Sequence, residues 1–358
     1  MLDIHGESEE DLMKVGKEFI DLLNIFSPSS GEEKVKQYFK SYISSFGKTF
    51  EVVCDQIGSI YAYKKGTKSS YKVMVSSHMD EVAYLVKRIK ENGMIVLEPN
   101  GSINKDIPIG QVLSIYTNSG KLVKGVVPSL SAHLTNASNL EETLLDTGLS
   151  KQALISAGVE LGNFVGFEKN VYYSDDEKRI ISPGIDNKFG CYMALLAIAY
   201  VANKEYEYDL YIGANVMEEV GLRGSTTIGN LINPDVFINF DASPVDDTLS
   251  SEANGYLGKG PLFRVKDPGY NISPKFLNVL KSLVAKENIP YQIYFAGGGT
   301  DASTLIKSGK GAIGATIGLP TRYIHSSFSM ADIDDIEKTK KLLFSFLDNI
   351  NNYIKDLL

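Results

Sequence analysis

The chain has 358 residues, 43% of them hydrophobic, which is more than one ordinary domain needs and enough to fill the cores of two. The formal net charge is -8 and the pI about 5.2, and the lysines and arginines are scattered rather than clustered, which excludes a basic face that tracks phosphates and so excludes nucleic acid as a partner. The longest apolar run, Tyr192 to Ala202, is shorter than the roughly 20 residues of a membrane span, and the polar, acidic opening MLDIHGESEEDLMK argues against a secretion signal, so a cytoplasmic protein without a membrane partner is expected.

Apolar residues at three- and four-residue spacing (Leu12, Val15, Phe19, Leu22, Leu23) predict a helix over about 9–25, and Ser-Pro-Ser-Ser-Gly at 27–31 separates it from a second helix over 31–45. Strand-like stretches follow at 50–55 and 59–66, then the apolar run VMVSSH at 73–78 reads as a buried central strand. From about 81 to 174 the texture changes to short β-type stretches (AYLVKRI, GMIVLEP, VLSIYTNSG, KLVKGVV) separated by Gly, Asn and Pro, with few helical periods. Thereafter α/β alternation returns: a helix near 187–203, the strand DLYIGANV, a short helix near 225–232, the strand VFINFD, a helix at 274–287, the strands YQIYF and AIGATIG, and a long terminal helix from about 332. The fold expected is therefore α/β, with residues 1–80 and 175–358 forming one domain and residues 81–174 a β-rich insert. Cys54 and Cys191 lie in apolar surroundings with no zinc-knuckle or redox spacing and read as reduced core residues.

Five segments end an apolar strand or open a helix with His, Asp or Glu. VMVSSHMDE carries His78 and Asp80, two apart and so on one face, although a histidine capping a strand end would look the same. SPGIDNKFG puts Asp186 at the start of an apolar helix, where plain N-capping explains it equally well. NVMEEVGLRGS runs a buried strand into the adjacent Glu218 and Glu219, an arrangement that is costly unless a cation compensates it. VFINFDASP delivers Asp241, and GATIGLPTRYIHSS delivers His325. Open α/β sheets gather their sites at the carboxyl ends of strands, so His78, Asp186, Glu219, Asp241 and His325 can converge, and two histidines with three carboxylates suit a pair of borderline divalent ions.

In this order the strings HMDEVA, GIDNKFG, MEEVGLRGS, FDAS, GGGTDAS and GLPTRYIHSS resemble the glutamyl aminopeptidase and tetrahedral (TET) aminopeptidase family, metallopeptidase family 42, over nearly the whole chain. The resemblance implies a mixed central sheet flanked by helices, of the zinc-peptidase type, with a small inserted β-barrel that pairs subunits into a homo-oligomer, in the family a dodecamer. It implies two divalent ions per subunit, zinc first and cobalt or manganese as alternatives: His78 and Asp241 on one, Glu219 and His325 on the other, Asp186 bridging. Glu218 would be the general acid/base and Asp80 the partner of His78. The family often has Asp-Asp-Arg where this chain has Asp186-Asn187-Lys188, a change outside the ligand set, and the peptide after the bridging aspartate is cis in related enzymes. His133, in SLSAHLTN, falls in a loop that usually reads Pro-Pro-His and is expected to be structural.

A water between two cations would supply hydroxide at neutral pH, Glu218 would take its proton, and a carboxylate-rich site offers acceptors to the free α-amino group of a short peptide. The three glycines of GGGTDAS would form either a close-approach loop beside the substrate side chain or a plain turn. Two rival readings stand: a related hydrolase that binds a carboxylate, an N-acyl amino acid deacylase or carboxypeptidase with Arg223 or Arg322 as the cation, and a non-catalytic assembly protein that keeps the fold.

Overall fold

The computed structural model describes residues 15–129 and 142–358. The start of the first expected helix and His133 lie outside the described residues. In chain order come α1 (Lys17–Leu23), α2 (Glu33–Ser45), β1 (Glu51–Cys54), β2 (Ile60–Lys64) and β3 (Lys72–Ser76), then β4 (Ala83–Ile89), β5 (Ile95–Asn100), β6 (Val112–Tyr116), β7 (Leu122–Val126), β8 (Thr143–Leu145), α3 (Lys151–Ser156) and β9 (Phe164–Phe167). The rest comprises β10 (Tyr172–Tyr173), β11 (Arg179–Ser182), α4 (Ile185–Val201), β12 (Asp209–Ala214), α5 (Arg223–Ile232), β13 (Val236–Pro244), β14 (Leu262–Asp267) and β15 (Tyr270–Asn271). The chain closes with α6 (Pro274–Lys286), β16 (Gln292–Phe295), α7 (Ala302–Leu305), β17 (Ile313–Arg322), β18 (Ser329–Asp332) and α8 (Ile333–Leu357).

A twelve-stranded mixed sheet has the order β1-β2-β12-β3-β13-β17-β18-β11-β10, with β14 pairing β15, β16 and β17 beside that path. Its centre is parallel: β3 lies between β12 and β13, and β13 pairs β17 with Val236 opposite Ile313. As the apolar run predicts, the last four residues of β3 are buried. Helix α4 is apolar all round, with Phe189, Met193, Leu195 and Ile198 fully buried, because it packs against β12 and β13 on one side and α1 and α8 on the other. Helix α8 is amphipathic, burying Leu343, Phe346, Leu347, Ile350 and Ile354, and its entry is capped by the Asp332 carboxylate accepting from Asp334 N–H.

The second sheet is six-stranded and wholly antiparallel, in the order β7-β6-β9-β4-β5-β8. It has its own apolar cluster, including Leu97, Leu113, Ile115, Leu145 and Val165. Just beyond β8, Asp146 exchanges both backbone hydrogen bonds with Val126 of β7 (2.8 and 2.9 Å), so the two outer edges touch. One expectation needs correction: Cys191 is buried but Cys54 is exposed, because β1 is an edge strand whose last residue faces solvent.

Candidate active site

Four neighbouring strands, β12-β3-β13-β17, end on one side of the sheet and deliver most of the expected residues there. Beyond β3, His78 is held by its own segment: Nδ1 lies 3.1 Å from the Asp80 carbonyl and 3.3 Å from Asp80 Oδ1. A carbonyl can only accept, so Nδ1 carries a proton and Nε2 is the nitrogen left to bind a cation when the ring is neutral. That Nε2 faces Asp186 Oδ1 and Asp241 Oδ1, each at 3.4 Å, and Glu218 Oε2 at 3.9 Å.

Asp80 does more than the sequence suggests. Fully buried, it accepts from Ser29 Oγ (2.7 Å) and from the backbone N–H groups of Glu218 (2.9 Å) and Glu219 (3.1 Å) as well as facing His78. It thereby fixes the turn after β12 relative to the end of β3.

Asp186 precedes the helical turns of α4 rather than capping them: it and Asn187 have non-helical backbone angles, and the peptide between them is cis, as the family resemblance implies. Asn187 is used structurally, donating to Phe240 O (2.9 Å) and accepting from Gly190 N–H (2.8 Å). The Asp186 carboxylate spans the site. Its Oδ1 lies 3.4 Å from His78 Nε2 and its Oδ2 3.4 Å from His325 Nε2. His325, three residues past β17 and in the left-handed region (φ 57°), also faces Glu219 Oε2 at 3.2 Å, and its Nδ1 donates to the Ser102 carbonyl at 2.8 Å.

Two mutually close donor sets result, His78/Asp186/Asp241 and Asp186/Glu219/His325, and Glu218 and Glu219 also approach His78 as a third. Among the described residues, no hydrogen-bond partner reaches Asp186 Oδ1 or Glu219 Oε1, although both are buried. Orphaned, buried carboxylate oxygens beside imidazole nitrogens are the donor set a divalent cation fits.

The electrostatics without a cation point the same way. Burial pushes Glu218 well above the ordinary carboxylate range, and burial with the Asp186 charge takes Glu219 to about 7. Burial also raises Asp241. Burial opposes charge on His325, yet the hydrogen bonds to Asp186 and Glu219 outweigh it and lift the imidazole to about 11. Asp186 is likewise opposed by burial but is drawn below the usual range by the two histidines. Four acidic groups at one focus therefore depend on positive charge supplied among them.

These residues line a cavity of about 620 Å³. One of its walls escaped the sequence reading: Arg264, from the middle of β14, is buried and lines the cavity beside Tyr294. Its guanidinium donates to Ser243 Oγ (2.9 Å) and Ala242 O (2.9 Å), and no carboxylate lies within ion-pair distance of it among the described residues. The available signal was a charge inside the apolar run PLFRVKD. The arginines singled out from sequence do not take this place, since Arg322 makes a paired contact to Asp247 (2.6 and 2.8 Å) and Arg223 does not line the cavity. Gly298 and Gly299 also line it, but none of Gly297–Gly299 has a positive φ, so the glycines leave space at the wall rather than supplying unusual backbone angles.

A family profile described as M42 glutamyl aminopeptidase matches residues 58–342. The glutamyl aminopeptidase of Lactococcus lactis is 32% identical over 339 residues, covering 92% of this chain and 95% of the relative. An aminopeptidase from the archaeon Desulfurococcus kamchatkensis superposes with a TM-score of 0.89 at 29% identity, covering 95% of this chain and 96% of that one. A structure described as PhTET1-12s, a dodecamer in the asymmetric unit, gives a TM-score of 0.82 at 26% identity and covers 92% and 98% of the two chains.

Proposed function

The chain belongs to the M42 glutamyl aminopeptidase family and is a metal-dependent aminopeptidase, and from that premise we propose that it removes the N-terminal residue of short peptides at a centre of two divalent cations. The observation that carries this reading is the Asp186 carboxylate, one oxygen turned to His78 and the other to His325 at equal distances of 3.4 Å. In this reading His78 and Asp241 would hold one cation, Glu219 and His325 the other, and Asp186 would contribute to both. Two imidazoles and three carboxylates favour zinc, with cobalt or manganese as substitutes.

When bound, such a pair of cations polarises the scissile carbonyl and makes water a nucleophile at neutral pH. The chain supplies the proton handling. Glu218 takes a proton from the attacking water as the C–O bond forms and returns it to the departing amine nitrogen as the C–N bond breaks. Burial, which already biases Glu218 toward holding a proton, suits that exchange. Asp80 positions Glu218 and Glu219 through their N–H groups and His78 through its ring.

The preferred N-terminal residue is acidic. Supporting this are the buried, carboxylate-free Arg264 in the cavity wall and the likeness to a relative named glutamyl aminopeptidase. Glutamyl, leucyl and lysyl p-nitroanilides assayed on protein stripped of metal and reloaded with zinc, cobalt or manganese test both parts. Metal-dependent hydrolysis led by the glutamyl substrate is expected; preference for leucyl would overturn the acidic pocket alone, and activity independent of metal would overturn the centre.

The proposed division is a catalytic domain of residues 1–80 and 175–358 with an inserted domain of 81–174, closed into a barrel, through which copies assemble as a homo-oligomer. The separate apolar cluster, the Val126–Asp146 edge contact and the likeness to a dodecameric relative support it. A cytoplasmic location fits two cysteines that remain unpaired. No helix among the described residues is long and apolar enough to cross a membrane.

A further inference from the structure

The six-stranded sheet reaches the candidate centre at two separate points. At the end of β5 the chain turns at Gly101 with φ 101°, and a methyl group there would stand 2.9 Å from Val82 Cγ1 and 3.4 Å from Glu219 Cβ. Glycine thus allows this turn to lie directly on the Glu219 side chain. The next residue offers its carbonyl to His325, with Ser102 O 2.8 Å from Nδ1. That contact holds a proton on Nδ1 and turns Nε2 to Asp186 and Glu219, so Nε2 is the ligand nitrogen whenever the imidazole is neutral. His78 takes its acceptor from its own segment, the Asp80 carbonyl, whereas His325 takes it from the other sheet.

At the second point Lys169, just past β9, forms a buried ion pair with Glu81. Glu81 also accepts from Ser27 N–H (2.9 Å) and faces Lys188 Nζ of α4 at 3.4 Å. The segment leading to Asp186 packs on this pair: a methyl group at Gly184 would lie 2.7 Å from Glu81 Oε2 and 3.0 Å from Lys169 Nζ. A third tie runs from Asn100 Nδ2 to the Ser29 carbonyl (3.0 Å), and Ser29 Oγ in turn donates to Asp80.

We infer that the six-stranded sheet is a positioning element of the metal centre: it orients His325 through the Ser102 carbonyl, the Lys169–Glu81 pair clamps it in that position, and its effect falls on the His325/Glu219 half. This rests on the two-cation reading. An orienting partner outside the ligand set is worth about 10- to 100-fold in metal affinity, so loosening the clamp lowers one of two affinities and spares the other.

The test is zinc titration by calorimetry, with visible absorption of the cobalt-loaded protein, on the full chain and on Lys169→Met, Lys169→Arg, Gly101→Ala and His325→Ala. Two ions bind the unmodified chain; Lys169→Met and Gly101→Ala each weaken one site by about 10- to 100-fold, Lys169→Arg restores it, and the other site stays within about twofold. Adding Lys169→Met to His325→Ala leaves the surviving site unchanged if the clamp acts through His325. Equal weakening of both sites, or unchanged affinities in variants with native circular dichroism, overturns the inference while leaving the two-cation reading intact. Binding of fewer than two ions by the unmodified chain overturns both. Gly101→Ala keeps the test decisive if Lys169→Met fails to fold, because it perturbs the turn that carries Ser102 without removing a buried charge.

Discussion

At Asp80 one carboxylate serves a hydroxyl, two backbone N–H groups and an imidazole, so an amide, with a single acceptor oxygen, cannot replace it. Asp80→Asn leaves a buried donor unpaired at a cost of about 1–3 kcal/mol, read as a lower melting temperature together with weaker metal binding. Glu218 tests the chemistry differently. Glu218→Gln keeps the side-chain volume and loses the base, so kcat falls about 10²- to 10⁴-fold while both ions stay bound; undiminished kcat would sink the assigned role.

Protonation of the same site predicts a pH dependence of metal binding. Without metal, His325 stands at about 11, against burial and because of Asp186 and Glu219, and Glu219 stands at about 7 through burial and the Asp186 charge. At pH 7.5 the metal-free protein therefore holds a second proton on His325, at Nε2, and a fraction of one on Glu219, and the cations need both of these protons gone. Binding releases protons, so affinity rises with pH through the neutral range. Calorimetry in buffers of different ionisation enthalpy measures the release, and an affinity that falls as pH rises would contradict the ligand assignment.

Among the elements, α5 shows how packing places ligands. Gly224 in its first turn sits so close to the preceding segment that a methyl group would lie 2.5 Å from both Val216 N and O. Since Glu218 and Glu219 occupy the turn between, Gly224→Ala must push helix and turn apart. Overpacking of this kind costs about 1–3 kcal/mol, and the expected result is a lower melting temperature accompanied by reduced zinc affinity. Stability loss with unchanged affinity would show that the turn is held by Asp80 alone. Sequence periodicity located most such elements, including α4, α6 and α8, because each carries an apolar face that repeats locally. It passed over α3, β14 and α7, which are short or owe their form to partners far away in the chain.

For the molecule as a whole, the centre joins both sheets to one another, so its occupancy should register in global stability. A ligand at 100 times its dissociation constant adds about 2.7 kcal/mol, and metal stripping is expected to lower the melting temperature reversibly, with zinc restoring it. No change on stripping would remove the cation centre from the account. Light scattering on the eluting protein is expected to give a multiple of 39.3 kDa consistent with a dodecamer, and a clean monomer would refute assembly.

The convergence of His78, Asp186, Glu219, Asp241 and His325 was legible in the sequence because each follows a buried strand or opens a buried helix, where a charged or imidazole side chain is conspicuous against the apolar run. The family resemblance rested on the same positions. Only the tertiary structure decided what surrounds them. Arg264 became a cavity wall when β14 paired with β17, Cys54 faced solvent because β1 is an edge, and Ser102 reached His325 across 223 residues of chain. Apolar spacing specifies which side of an element is buried, whereas a pocket is lined by segments that sheet order alone makes neighbours, and that order is a property of pairing between distant stretches rather than of any local pattern.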